Sequence, residues 1–258
     1  MFSEPSVRAL ILSAIAGSAT LVGALVIFFA KTKNERLLSI SLGFAAGIML
    51  SVSFADLFPT AQTLLSGALS DKQAVLCSVG FLILGLLTAS GIDVFVPHEA
   101  YDPENGEMPH KNLFRVGIVS TAAIALHNFP EGVATFMAGY KDAALGISIA
   151  LAISLHNIPE GIAVAMPVYY ATGSKKLALK YTMLSGLAEP LGALSAYLVL
   201  RPFIDDFVLG GVFAAVAGIM IYIVVEELIP SSRQYGHDRE ALWSTFAGIC
   251  LMPLTHAV

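Results

Sequence analysis

Eight long apolar runs, separated by short polar segments, constrain this chain more than any other feature of its sequence. The hydrocarbon core of a bilayer is about 30 Å thick, and a helix rising 1.5 Å per residue crosses it in roughly 20 residues. Because each run has about that length, the sequence predicts an all-α polytopic membrane protein whose residues 1–258 form one domain of eight transmembrane helices. The predicted spans lie near residues 7–30, 37–58, 74–96, 114–139, 143–169, 177–200, 207–229 and 241–257.

Composition excludes an ordinary soluble protein. Hydrophobic residues make up 56% of the chain and charged residues only 13%, whereas charged residues are about 25% of typical soluble proteins. The formal net charge of −5 gives no basic surface for a nucleic acid. We therefore expect the lipid bilayer, and no nucleic acid, as a partner. The oligomeric state stays open, and a homodimer is among the alternatives.

The distribution of basic residues predicts the orientation in the membrane. Most of the 14 Lys and Arg residues fall in the loops after spans one, three, five and seven. Because Lys and Arg are retained on the cytoplasmic side, both termini should face outside. The polar connection at 97–112 is then a cytoplasmic loop. Its irregularly spaced His98, Glu99 and His110 are interpreted as solvated loop residues rather than as part of a metal site.

A tandem repeat marks spans four and five. The segment ALHNFPEGVA at 125–134 recurs as SLHNIPEGIA at 154–163, which is one helix and a tight turn later. The two spans should therefore be neighbours that carry equivalent groups at equivalent positions.

A second repeat relates the two ends of the chain. AGIMLSVSFADLFP at 46–59 aligns without gaps to AGIMIYIVVEELIP at 217–230, and ATLVGAL at 19–25 matches AEPLGAL at 188–194 more weakly. Span two and span seven run in opposite directions, so the halves are inverted repeats, as in many secondary transporters. We predict a three plus two plus three arrangement with the HNxPEG helices between the repeats.

Spans four, five and six carry polar and ionisable groups at membrane depth. Such groups cost at least a few kcal/mol on insertion scales, and inter-helix hydrogen bonds recover on average only about 0.6 kcal/mol each. A shared function is the better interpretation, because His and Glu four residues apart lie on one helix face and can converge on one ion. The candidates are His127, Asn128, Glu131, His156, Asn157, Glu160 and Glu189.

The types of ligand narrow the ion. Imidazole, amide and carboxylate groups suit Zn²⁺, Fe²⁺, Mn²⁺, Co²⁺ and Cd²⁺, whereas Cu⁺ favours thiolates and Ca²⁺ or Mg²⁺ favour oxygen alone. Three carboxylates also offset the positive charge of one or two divalent ions. The number of bound metals, one or two, stays open.

With HNFPEG at 127–132, HNIPEG at 156–161 and SGLAEPLGA at 185–193, the sequence resembles the ZIP (Zrt-, Irt-like protein) metal transporters, particularly short bacterial zinc-uptake permeases. The resemblance implies eight spans in the cell (inner) membrane and both termini outside. It also implies zinc influx into the cytosol through a site between spans two, four, five and six. The metal is then a transported ion and not a cofactor, and the ligand role falls on the seven residues named above.

Three further residues are candidates at or near this site. The resemblance places Met49 of span two beside the metal as a soft ligand, with core packing as the alternative. Asp56 and Glu227 lie near the ends of their spans, where entrance or gate roles and purely structural roles are both open.

An intramembrane metal-dependent hydrolase is the main rival, because bound Zn²⁺ with an open position can activate water. The chain has no HExxH segment, and inverted repeats suit alternating access better than chemistry on a substrate. We therefore expect a transporter of divalent transition metals and not an enzyme.

Overall fold

The computed structural model describes residues 3–29, 34–94, 113–203 and 205–255, so the predicted loop at 97–112 lies outside the described residues. Within these ranges the chain forms eight helices and no strand. The helices are α1 (Glu4–Ala24, extended by Val26–Phe29), α2 (Glu35–Ser66), α3 (Asp71–Asp93), α4 (Leu113–Lys141), α5 (Ala143–Thr172), α6 (Lys175–Gly186 and Ala188–Ser195, continued by Ala196–Leu200), α7 (Asp206–Arg233) and α8 (Asp238–Thr255).

Several of these helices have the length and composition of membrane spans. In the described part of the chain, five stretches meet both requirements: Glu4–Phe28, Glu35–Ser66, Asp71–Gly91, Ala143–Thr172 and Asp206–Arg233. The predicted all-α, polytopic membrane architecture is therefore confirmed. That each of the eight helices crosses the bilayer stays a prediction.

Helices α2, α6 and α7 each contain a π-helical stretch, in which hydrogen bonds join residues five apart. The stretches are Val52–Leu57, Ala196–Leu200 and Val224–Leu228. Each ends two residues before a proline: Pro59, Pro202 or Pro230. A proline has no N–H for the carbonyl four residues earlier, so the helix loses one backbone hydrogen bond close to each π stretch.

Helices α4 and α5 form a tight antiparallel hairpin at the centre of the chain. Only Asp142 separates them, and its side chain caps α5 by accepting a hydrogen bond of 2.8 Å from the Leu145 N–H. Both helices continue through Pro130 and Pro159 of their motifs. The hairpin therefore brings the two HNxPEG motifs side by side in opposite directions.

Backbone-to-backbone contacts fix α1 and α6 against this hairpin. A Cβ atom on Gly132 would lie 1.8 Å from the carbonyl oxygen of Glu189, and one on Gly161 would lie 1.8 Å from that of Thr20. No side chain fits at such a distance, so only glycine permits these contacts. Reciprocal contacts of the same kind join Gly23 to the Ile158 carbonyl and Gly192 to the Phe129 carbonyl.

These four contacts obey one approximate two-fold relation. Exchanging α4 with α5 and α1 with α6, by the offsets of the sequence repeats, turns the Gly132 contact into the Gly161 contact. It likewise turns the Gly23 contact into the Gly192 contact. The weak match between residues 19–25 and 188–194 therefore reflects equivalent packing in three dimensions.

The other four helices pack in two pairs that the same relation exchanges. In the α2–α8 pair, a Cβ on Gly47 would lie 2.0 Å from the Thr245 carbonyl oxygen; in the α3–α7 pair, a Cβ on Gly218 would lie 2.1 Å from that of Leu82. Gly47 and Gly218 occupy equivalent positions of the second sequence repeat. This is the contact pattern that three plus two plus three inverted repeats require.

We expect Gly218→Ala to destabilise the protein, because the added methyl group must separate the α7 and α3 backbones. Overpacking of this kind costs about 1–3 kcal/mol. Gly80→Ala on α3 is the matched control, since a Cβ there meets nothing within 4 Å, and it should be neutral or stabilising by up to about 1 kcal/mol. Thermal unfolding of the purified variants in detergent measures both. Equal stability of the two variants would contradict the close packing.

Candidate metal site

Six of the predicted ligands form a cluster that is completely buried within the bundle. The exposed fraction of each is 0%: Asn128, Glu131, His156, Asn157, Glu160 and Glu189. They come from three helices, α4, α5 and α6. Three carboxyl groups withdrawn from water together require protons, hydrogen-bond donors or a cation to balance their charge.

An imidazole–carboxylate pair joins the two motif helices. Nε2 of His156 on α5 lies 2.9 Å from Oε1 of Glu131 on α4. The sequence argument considered His and Glu within one helix, whereas this pair forms between helices, because the antiparallel hairpin brings the start of one motif beside the end of the other. The pair places an imidazole nitrogen and a carboxylate oxygen, two atoms of the kinds that bind Zn²⁺, next to each other.

The amide of Asn157 links three helices around the site. Its Nδ2 donates to Oε2 of Glu189 on α6 at 2.7 Å and to the carbonyl oxygen of Ala16 on α1 at 2.9 Å. Both NH₂ hydrogens are thus used, which leaves the amide oxygen as the atom available to a cation. Asn157 therefore both orients the Glu189 carboxylate and offers a ligand.

The amide of Asn128 has two alternative orientations. In one, Nδ2 donates to the Ser185 carbonyl at 3.4 Å, which mirrors the Asn157 bond to Ala16 under the two-fold relation. In the other, the amide nitrogen donates to the Ile124 carbonyl and to Oε2 of Glu160, both at 3.1 Å. The second is favoured without a cation, because the first leaves the amide oxygen facing only other oxygens. A bound cation would favour the first, since it needs those oxygens as ligands.

The structure locates the remaining predicted residues less fully. His127 lies on α4, but its side chain is outside the described part of the structure. Met49 is buried in the hydrophobic core on α2, where only 1% of it is exposed. Asp56 and Glu227 are partly exposed, and both lie in π-helical stretches of equivalent helices. Ligand and gate roles for these residues stay predictions.

The arrangement is a set of mutually hydrogen-bonded polar pairs. Among the described side chains, which leave out that of His127, no three His, Cys, Asp or Glu groups converge so as to hold a metal ion. The side chains bond to one another instead, as His156 does to Glu131 and Asn157 does to Glu189. An incoming cation would have to exchange these hydrogen bonds for coordination.

Sequence reasoning assigned no role to α1, yet α1 closes one side of the site. The Ala16 carbonyl of α1 accepts a hydrogen bond from the Asn157 amide, and its Thr20 carbonyl lies against Gly161. The available signal was the weak match of residues 19–25 to 188–194, which aligns Thr20 with Glu189. Backbone acceptors such as that of Ala16 carry no residue-specific signal, so only the packed structure reveals them.

Known proteins match this chain over most of its length. The profile of the family described as ZIP Zinc transporter matches residues 98–255. The zinc transporter ZupT of Streptococcus mutans is 44% identical over 258 residues, which covers 98% of each chain. That of Chlorobium luteolum is 46% identical over 255 residues, which covers 96% of each. The match to the family profile and the identity to these relatives over nearly the whole length show that the chain belongs to the ZIP family of zinc transporters.

Proposed function

We propose that the protein carries Zn²⁺ across the membrane through the cluster of His, Asn and Glu residues on α4, α5 and α6. The observation that supports this most strongly is the complete burial of three carboxylates, an imidazole and two amides in the middle of packed helices. Burying apolar side chains there would cost less free energy, so the polar groups need a function such as binding a charged ion. The zinc transporters to which the chain is similar support the same cargo.

The ligand set supports Zn²⁺ and related ions as substrates. Nitrogen from His156 and oxygen from carboxylates and amides suit Zn²⁺, and the same set accepts Fe²⁺, Mn²⁺, Co²⁺ and Cd²⁺. Thiolates would hold a soft ion too tightly for release, and none of the candidate ligands is a cysteine. The metal is cargo, and we propose no resident cofactor.

A hydrolase is not favoured as a second function. The chain belongs to a family of transporters, which agrees with the prediction that it is not an enzyme. The polar groups of the cluster form hydrogen bonds with one another across helices. Such bonds suit a transported ion, which can replace them one after another as it binds. We further propose that both termini face outside, as the basic residues predict. We also propose that transport is directed into the cytosol across the cell membrane, which only the resemblance to the ZIP transporters implies.

Two contacts at opposite ends of the α4–α5 hairpin support alternating access as the mechanism. At the end of α4, Lys141 forms an ion pair with Asp206 at the start of α7. At the end of α5, the Tyr170 hydroxyl donates to the Asn34 carbonyl at 2.9 Å and accepts from the Asn34 N–H, at the start of α2. We call these the Lys141 clasp and the Tyr170 clasp.

The two clasps occupy equivalent positions of the repeats. Lys141 and Tyr170 are related by the offset of the HNxPEG motifs, and Asn34 is related by the offset of the second repeat to Asp205, the neighbour of Asp206. Asn34 and Asp205 both act as N-caps. Each clasp thus joins a motif helix to a helix with a π stretch, one at each end. Opening one clasp while the other holds would expose the site to one side only.

Glu131→Ala and Glu160→Ala should each abolish zinc transport while the protein stays folded, because each removes an anionic ligand of the cluster. The measurement is uptake of radioactive Zn²⁺ by proteoliposomes, normalised to reconstituted protein and competed by Fe²⁺, Mn²⁺, Co²⁺ and Cd²⁺. Glu226→Ala is the control, since Glu226 is exposed on α7, and it should transport normally. Normal uptake by either cluster variant would refute the shared site.

His156→Gln should keep part of the transport activity but change the order of preferred ions. The substitution replaces a nitrogen ligand, which Zn²⁺ favours, with an amide oxygen, which harder ions favour. The same competition series measures the change. An order identical to that of the wild type would remove His156 from the ligands.

Weakening one clasp should bias access towards one side. Tyr170→Phe should speed labelling of a Ser185→Cys reporter from the predicted cytoplasmic face, and Asp206→Asn should speed it from the opposite face. Impermeant thiol reagents on right-side-out and inside-out vesicles measure this, with Cys77 and Cys250 replaced by Ala. If both variants changed labelling from the same face, the clasps would not be opposing gates.

A further inference from the structure

The hydroxyl group of Thr20 on α1 is a buried polar group that the proposed transport site does not yet use. Thr20 is 0% exposed, and its Oγ1 has no hydrogen-bond partner. A buried hydroxyl without a partner loses its bonds to water and gains nothing in exchange. Such a group calls for a ligand or a water molecule beside it.

Three contacts place Thr20 at the metal site. One turn earlier on α1, the Ala16 carbonyl accepts the amide of Asn157 at 2.9 Å. The Thr20 carbonyl itself lies against Gly161, the residue after Glu160. Its Oγ1 would lie 3.4 Å from a Cβ atom on Gly186 of α6. Thr20 therefore sits where α1, α5 and α6 meet around the candidate ligands.

The missing partner has a specific cause. Threonine and serine in a helix commonly donate to the carbonyl four residues earlier, as Thr182 does to Ala178 at 2.9 Å. For Thr20 that carbonyl belongs to Ala16, which is already the acceptor of Asn157. The usual intrahelical bond is absent, and the hydroxyl keeps both its proton and its lone pairs for another group.

The two-fold relation of the fold shows which residue is equivalent to Thr20. It exchanges Asn128 with Asn157, Glu131 with Glu160, and Thr20 with Glu189. The site therefore has two equivalent halves. Where one half presents the Glu189 carboxylate next to an amide, the other presents a neutral hydroxyl.

We infer that the Thr20 hydroxyl belongs to the metal site, as an oxygen contact for the divalent cation in the half that contains Asn128. This inference rests on the proposed zinc transport. A neutral oxygen in place of a carboxylate lowers the negative charge of that half, so the half contributes to coordination without holding a divalent ion as tightly as the Glu189 half. The difference favours release of the ion.

The test compares variants that remove the Thr20 hydroxyl with one that keeps it. Thr20→Val keeps the shape of the side chain without the hydroxyl. Thr20→Ala also lacks the hydroxyl and is small enough to avoid any clash, and Thr20→Ser keeps the hydroxyl. Ser13→Ala is the matched control, because Ser13 is also fully buried on α1 without a hydrogen-bond partner. Calorimetric titration of the full-length protein with Zn²⁺ gives affinity and stoichiometry. Uptake by proteoliposomes gives KM and the maximal rate, and thermal unfolding reports the fold.

Thr20→Val and Thr20→Ala should weaken Zn²⁺ binding by roughly 10-fold, the lower end of effects seen for supporting groups of metal sites, and should raise KM. Thr20→Ser and Ser13→Ala should bind as the wild type does. Wild-type affinity and KM in both Thr20→Val and Thr20→Ala would overturn the inference. An equal loss in Ser13→Ala would overturn it too, since any buried hydroxyl would then matter.

The outcomes separate this inference from the proposed function. If Glu131→Ala abolishes Zn²⁺ binding while Thr20→Val binds normally, only the role of Thr20 is refuted. If the folded wild-type protein neither binds nor transports Zn²⁺, the proposed function and the inference both fail.

Discussion

The close approach of helix backbones around the HNxPEG hairpin is the contact on which the site depends. Gly132 lies against the Glu189 carbonyl and Gly161 against the Thr20 carbonyl, at distances that exclude any side chain. Both glycines belong to the ligand motifs, one residue after a glutamate. The same six-residue motif therefore supplies the proposed ligands and the contact surface that brings α1 and α6 to them. Small residues serve this purpose in membranes, where no hydrophobic force drives helices together and close packing must hold them.

The repeats give the molecule equivalent contacts at both ends but different chemistry in each copy. Lys141 and Tyr170 occupy matching positions, yet one forms an ion pair and the other a neutral hydrogen bond. Inside the site, Thr20 stands where the other half has Glu189. The backbones of the two halves are therefore equivalent, whereas side chains at matching positions differ in charge. The two-fold relation thus holds for the helix packing but not for the charges of the side chains.

Much of this arrangement could be predicted from residue patterns because it depends on local composition and repetition. The eight apolar runs predicted an all-α membrane protein, and the paired HNxPEG segments predicted which helices carry the polar cluster. The π stretches were not predicted, although each precedes Pro59, Pro202 or Pro230 by two residues. A proline signals that one backbone hydrogen bond is lost but not how the helix compensates, because that choice depends on how neighbouring helices pack.

The sequence by itself determined that the chain lies in a membrane, that it is helical and which polar groups it carries. All three follow from side-chain chemistry and spacing along one chain. Only the tertiary structure decided which polar groups form hydrogen bonds with each other. His156 pairs with Glu131 rather than with a residue of its own helix, and Asn157 reaches both Glu189 and a backbone carbonyl of Ala16. These partners are far apart in sequence or lack a distinctive side chain. Their meeting depends on the distance between helix backbones, which glycine sets at each crossing.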